Sequence, residues 1–146
     1  MSELKMPENA FGYEHNGSSV IWDVGDIWRA ADSLKITTLD IDYFHGMMAN
    51  VQLEYDEDDW RRVEEADLKY PIIVGRCKKQ DGYLLIDGFH RLEKHHRLKH
   101  TKIPAKVIQK MPAPFFVKGK PFEIDGLNFE WKMRAASLES FRWMNW

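Results

Sequence analysis

Apolar and polar positions along the chain fall into short, punctuated blocks. Tyr70-Pro71-Ile72-Ile73-Val74 and Tyr83-Leu84-Leu85-Ile86 are β-rich runs on either side of Gln80-Asp81-Gly82, a hairpin-type turn signal. The second run ends at Asp87-Gly88, and helical spacing continues from Phe89 to about Leu98. Residues 105–108 then read as another strand. Upstream, residues 20–24 form a short strand pattern. Residues 26–34 place Ile27, Ala30, Ala31 and Leu34 on one helical face. Residues 36–44 alternate from Thr37 onward and predict a strand. Residues 59–66 predict a helix with Trp60, Val63 and Ala66 on a common face. Pro7, Asn9, Gly12, Asn16 and Gly17 give the start of the chain the composition of a loop. After Met111-Pro112-Ala113-Pro114, loops are expected at Pro121 and Gly126. Ala135, Leu138, Phe141 and Trp146 could share the face of a terminal helix. The expected fold class is α+β, a single domain with a small mixed sheet and flanking helices. Its expected parts are an N-terminal arm (1–19), the domain body (20–110) and an aromatic-rich C-terminal extension (111–146).

Composition narrows the classes. The 146 residues are 44% hydrophobic and 30% charged, the balance of an ordinary globular chain. No apolar run approaches the ~20 residues of a membrane span, and the N-terminus lacks the pattern of a secretion signal. With Cys77 alone, no internal disulfide or cysteine-based zinc cage can form, and a cytoplasmic location is expected. The net charge is −2, but residues 40–67 are strongly acidic and residues 91–110 strongly basic. A local positive surface fits a phosphate-bearing ligand, whereas the overall balance argues against extended contact with duplex DNA.

The candidate chemistry lies where the strand runs into Asp87-Gly88 and the helix opens with Phe89, His90 and Arg91. Backbone N–H groups of a first helical turn and two hydrogen-bonding side chains converge there, which suits a phosphate. Lys94, one turn after Arg91, would extend that site. The plainer alternative is an ordinary helix start with Asp87 as its N-cap and Arg91 solvated. His96 and His100 have i, i+4 spacing beside His95, but no carboxylate joins them, and Lys94, Arg97, Lys99 and Lys102 would repel a cation. A solvated basic face is the better expectation. The acidic run from Glu54 to Asp59 reads as a solvated loop; its functional version has one or two of these carboxylates, with Glu54, Asp56 and Glu57 as the named candidates, hold Mg²⁺ or deprotonate an acceptor hydroxyl. Trp143 and Trp146, if exposed, would anchor a partner.

In order and spacing, Tyr70-Pro71-Ile72-Ile73-Val74, Leu85-Ile86-Asp87-Gly88-Phe89-His90-Arg91-Leu92 and Ile103-Pro104-Ala105-Lys106-Val107-Ile108 resemble the ParB/sulfiredoxin superfamily. Ile21-Trp22-Asp23-Val24 and Ala30-Ala31-Asp32-Ser33-Leu34 are similar to the lead-in of small stand-alone ParB-like proteins of bacterial or phage type. The resemblance covers roughly residues 20–110. It implies ATP or CTP with its phosphates over Gly88, Phe89, His90 and Arg91, and Asp87 as a metal- or substrate-facing carboxylate. Sulfiredoxins carry their nucleophilic cysteine where Phe89 stands, so sulfinic-acid reduction is not expected. Partition proteins carry Gly-Glu-Arg-Arg and a further DNA-binding domain; this chain has Gly-Phe-His-Arg and few residues after Ile108, so sequence-specific DNA binding is not expected. Free-serine kinases share the Asp-Gly-x-His-Arg pattern. Lys99 stands where relatives often place glycine, and His95 where they often place a small packing residue.

The expected function is therefore nucleoside triphosphate binding, extending to an Mg²⁺-dependent phosphotransferase or NTPase acting on a small hydroxyl-bearing acceptor. The alternatives are a non-catalytic, phage-type effector acting on a protein partner, and a DNA-processing or nuclease accessory.

Overall fold

The computed structural model describes residues 7–44, 56–79 and 82–135. Strands β1 (Ala10–His15) and β2 (Ser18–Asp23) pair antiparallel, from Ala10 opposite Asp23 to His15 opposite Ser18. Asn16 and Gly17 turn between them with φ of 49° and 81°. Two successive positive φ values are what a two-residue hairpin needs to match the strand twist. The stretch expected as an arm thus holds a full strand, and Phe11 from it is buried. Asp23 ends β2 and also starts α1 (Val24–Ala31), its carboxylate accepting from the Gly25 N–H at 2.9 Å.

β3 (Thr37–Asp40) stops short of the expected boundary at residue 44. Its pairing ends at Asp40 opposite Lys102, and Ile41–Tyr43 tighten into a 3₁₀ turn that delivers Phe44 to the core. Helix α2 (Glu57–Glu65) opens on a reciprocal cap in which the Asp56 and Asp59 side chains each accept from the other's backbone N–H. The end of the acidic run is therefore a helix start, where Glu57, Asp58 and Asp59 meet the positive end of the helix dipole. Glu54 lies outside the described residues, as do Gln80 and Asp81 of the expected turn and the expected terminal helix beyond Ala135.

β4 (Ile72–Cys77), β5 (Gly82–Asp87), α3 (Phe89–Arg97) and β6 (Lys102–Ile108) come next. They build a four-stranded mixed sheet in the order β3-β6-β4-β5, in which β4 and β6 run parallel and the other pairs antiparallel. Parallel neighbours need a crossover, and here the crossover is β5 plus α3. β7 (Phe116–Lys118) joins β2 to complete a second, three-stranded sheet in the order β1-β2-β7. The arrangement is a mixed α+β unit with three helices and two sheets among the described residues. None of the described helices is long and apolar enough to cross a membrane.

Each face of the four-stranded sheet carries its own core. Ile73, Cys77, Leu84, Ile86 and Ile108 pack toward Phe11, Val20, Trp22 and Ile27 of the first sheet and α1. Ile72, Val74, Leu85, Ile103 and Ala105 pack on the other face with Leu92 of α3 and Phe44. Residues after Ile108, expected as an extension, belong to the first core: Met111, Ile124 and Leu127 are buried in it, and the Trp22 indole donates to the Pro112 carbonyl at 2.8 Å. Arg134 then reaches back to α1, with both Asp26 carboxylate oxygens within 2.9 Å of one guanidinium nitrogen.

Gly88 joins the two halves of the crossover. Its φ is 102°, and a Cβ there would lie 2.8 Å from Ile72 Cγ2 and 3.2 Å from Ile72 Cα. Side chains rarely adopt that conformation, and Ile72 is packed in the core. Gly88→Ala is expected to destabilise the protein by about 1–3 kcal/mol. Urea unfolding midpoints measure the loss, and an unchanged midpoint would show that the turn tolerates a side chain.

Candidate functional site

The geometry at the start of α3 is set by how β5 ends. Ile73 pairs with Asp87 and Val74 with Leu85, so Ile86 is an extra residue on the edge strand. Such a bulge bends the strand and re-aims the residues beyond it. Gly88 then enters the helix in a left-handed conformation, and with no side chain it cannot cap the first turn. The positive end of the helix is left without a side-chain cap of its own.

A cleft of about 450 Å³ opens at this turn. Asp87, Gly88, Phe89, His90 and Arg91 form one wall, the five cleft residues that the sequence brings forward. Arg62 and Glu65 of α2, with Ala66 just past its end, form another wall, and Asn9 completes the lining. The volume is within the range of small-molecule sites.

Side-chain contacts fix each wall residue. The Trp28 indole donates to Asp87 Oδ2 at 2.8 Å, tying α1 to the end of β5. Arg91 Nη1 donates to the Pro71 carbonyl at 2.6 Å, holding α3 against the start of β4. That leaves the rest of its fork of donors for other acceptors. His90 Nε2 and Asp59 Oδ1 are 3.0 Å apart across the α2–α3 gap. This hydrogen bond is the largest reason Asp59 is held below the usual carboxylate range, and the Asp56 backbone N–H adds to it.

Lys94 belongs to a different task from the one expected. Its ammonium donates to the carbonyls of Glu64 and Ala66 at 2.7 and 2.8 Å. It therefore caps the C-terminus of α2, where carbonyls are in excess and positive charge is favoured, and it does not line the cleft. Glu57 sits exposed in the first turn of α2 and does not line the cleft either. The residues not anticipated are Arg62, Glu65 and Trp28, whereas Asp59 belongs to the acidic run already singled out. The Asp56-x-x-Asp59 pattern, a helix-start signature, was the available signal for the α2 wall.

Cys77 and the histidines stand elsewhere. Cys77 is buried in the first core, and burial, with Asp125 second, pushes its thiol pKa up, which makes a poor nucleophile. His95 is buried rather than solvated as expected, and its Nδ1 lies 2.9 Å from Nδ1 of His100, while His96 is exposed. Lys99, at φ 61°, supplies the left-handed residue that ends α3 and folds His100 back. Among the described residues, no three histidine, cysteine or carboxylate side chains gather to hold a metal by themselves.

No family model matches this sequence, and no curated protein or solved structure matches it either.

These placements lead to two expected outcomes. Lys94→Met removes two charge-assisted hydrogen bonds and is expected to cost about 1–3 kcal/mol of stability, read as a lower melting temperature. Burial, with His100 second, holds His95 below the ordinary imidazole value of 6.5. The unfolded chain then takes up its proton first, so this contribution is complete above that pH and is lost as the pH falls below it. Urea midpoints measured from about pH 7 down to 5 should fall less in His95→Phe than in the parent. Parallel pH curves for the two proteins would contradict that.

Proposed function

We propose that the cleft at the start of α3 binds a nucleoside triphosphate, with its phosphates at the helix N-terminus. The observation that carries the reading is the meeting of that uncapped helix start with the Arg62 and Arg91 guanidiniums in one cleft of about 450 Å³. A helix N-terminus offers backbone N–H groups and the positive end of a dipole. Two guanidiniums add planar, forked donors that suit phosphate oxygens. Phe89 lines the cleft, and the half-exposed Trp28 stands beside it with its ring held by Asp87. Flat apolar faces of this kind give a nucleobase something to stack on.

The ordered motifs that resemble the ParB/sulfiredoxin superfamily support the same reading, since members bind ATP or CTP over this turn. In this view the four-stranded sheet with α3 is the ParB/sulfiredoxin-like part of the chain. Asp87 fits a Mg²⁺ ion that takes most of its ligands from phosphate and water, as is usual for nucleotide sites. The ion would supply charge neutralisation of the phosphates. Asp87 would hold it through the carboxylate oxygen that Trp28 does not engage.

A thermal-shift series with ATP, CTP, GTP and their diphosphates, with and without Mg²⁺, tests the proposal. A specific ligand raises the melting temperature by mass action. Arg62→Ala, in which Arg62 gives up a surface pair with Asp58 at 3.1 Å, should weaken the triphosphate by roughly tenfold to a hundredfold. Arg91→Lys should weaken it as well, since an ammonium does not reproduce the fork. No stabilisation by any of these nucleotides would refute the proposal.

A further inference from the structure

We propose a second ligand site that takes a small planar aromatic acid. Phe122, Phe129 and Trp131 line a pocket of about 300 Å³ together with Lys78, Glu123 and Asn128. It shares no lining residue with the α3 cleft, so the proposal stands whether or not that cleft takes a nucleotide.

The segment that carries the rings is built onto the end of β4. Leu127 bridges to Cys77, the Lys78 N–H donates to the Gly126 carbonyl at 3.4 Å, and the Met111 N–H donates to the Asn128 carbonyl at 2.8 Å. Ile124 and Leu127 anchor it in the first core. Gly126 has φ of 81°, and a Cβ there would lie 2.5 Å from the Lys79 nitrogen, so this close approach requires glycine. Backbone bonds and buried side chains therefore hold the pocket without help from a ligand.

The rings set its chemistry. Phe122 and Phe129 both pack against Trp131, at centroid distances of 5.2 and 6.3 Å and interplanar angles of 66° and 43°. Phe129 also meets the buried Trp22 edge-on at 5.0 Å, which ties this wall to the core. All three lining rings are half-buried, so each keeps apolar surface open to a guest. The Trp131 indole N–H and the Asn128 side-chain amide have no hydrogen-bond partner among the described residues. Aromatic walls with a few polar groups are the usual make-up of small-molecule sites, and the volume, at the small end of their range, suits one or two fused rings.

Charge decides the class of guest. Glu123 is matched by Lys79 at 3.2 Å, whereas Lys78 has no ion-pair partner among the described residues. Lys118 and Lys120, exposed and likewise unpaired, lie just before the lining residue Pro121. Of the nearby acids, Glu130 is matched by Lys110 at 3.0 Å, and Asp125 stands outside the lining. The local surplus is positive. Aromatic rings alone would also suit a cation, but a cation would meet Lys78. An anionic group on an aromatic ring satisfies the walls and the surplus together. In the complex the ring lies against the aromatic walls and the acid group lies on the Lys78 side, where the flexible lysine stem lets the ammonium follow it.

Three probes that share one ring system test the site: indole-3-acetate, its neutral amide and the cationic tryptamine. Each is titrated against the protein while backbone amide and indole N–H signals are followed by NMR. Indole-3-acetate is expected to bind saturably, with a Kd of about a millimolar or tighter, and to move the signals of Gly126, Asn128 and Trp131. The amide should bind about fivefold more weakly, the scale of an exposed ion pair, and tryptamine more weakly still. Lys78→Met keeps most of the side chain and removes its charge; it should bring the acid down to the level of the amide and leave the amide unchanged. Phe122→Leu should weaken all three probes alike, with its melting transition showing that the variant is folded. Arg62→Ala should change none of them. Equal binding of the three probes, or binding of the acid by Lys78→Met as by the parent, would overturn the acid class. No saturable binding, or signal changes confined to residues 87–91, would remove the site.

Discussion

The turn at Gly88 is the constraint on which the rest of the site depends. β5 must end, reverse and start a helix within one residue, because Ile72 of the neighbouring strand fills the space where a side chain would go. Only an α-carbon without a Cβ passes through that gap at φ 102°. Once it does, the start of α3 is aimed by the core itself: Leu92 locks the helix onto the sheet, and the Arg91 contact with Pro71 fixes its roll. The positive helix end and its side chains are then held by packing.

The other wall has a different physical basis. α2 contributes only Val63 to the buried set. What ties it to α3 is polar: His90 with Asp59, Lys94 with the last carbonyls of α2, and Arg97 stacked 3.8 Å from the centre of the Trp60 ring. Contacts of this kind respond to salt and pH far more than apolar burial does. One wall of the cleft is therefore held by apolar packing and the other by polar contacts.

The same division explains what the sequence discloses. The strand, the turn and α3 are local events, written in the run from Leu84 to Leu92, and α1 is written in the spacing of Ile27 and Ala31. The first hairpin was missed although Asn16-Gly17 is a turn signal, because the loop-like composition around it obscured the alternation of Phe11 and Tyr13. Helix α2 itself was legible, but its docking against α3 was not, because polar contacts between helices leave no periodic trace. Lys94 illustrates the difficulty. Its place one turn after Arg91 points toward a phosphate, and only the position of the neighbouring helix shows that its charge is spent on carbonyls. His95 is similar: a histidine-dense helix reads as solvated until the sheet beneath it is known. Residues beyond Ile108 look like an appendage in sequence because their apolar positions, Met111, Ile124 and Leu127, are scattered through loops.

The parallel pairing of β4 with β6 carries a consequence for how the protein comes into being. Everything that lines the helix-start wall lies between these two strands in the chain, so during synthesis that segment emerges before the strand that completes its sheet. Until β6 has left the ribosome and closed against β4, the inner edge of β4 is unpaired and α3 has only part of the surface it rests on. Closing a parallel crossover is slow compared with forming a hairpin. The nascent chain thus passes through a stage in which the Gly88 turn exists while the sheet beneath α3 is still incomplete, and that support is whole only when Ile108 is in place.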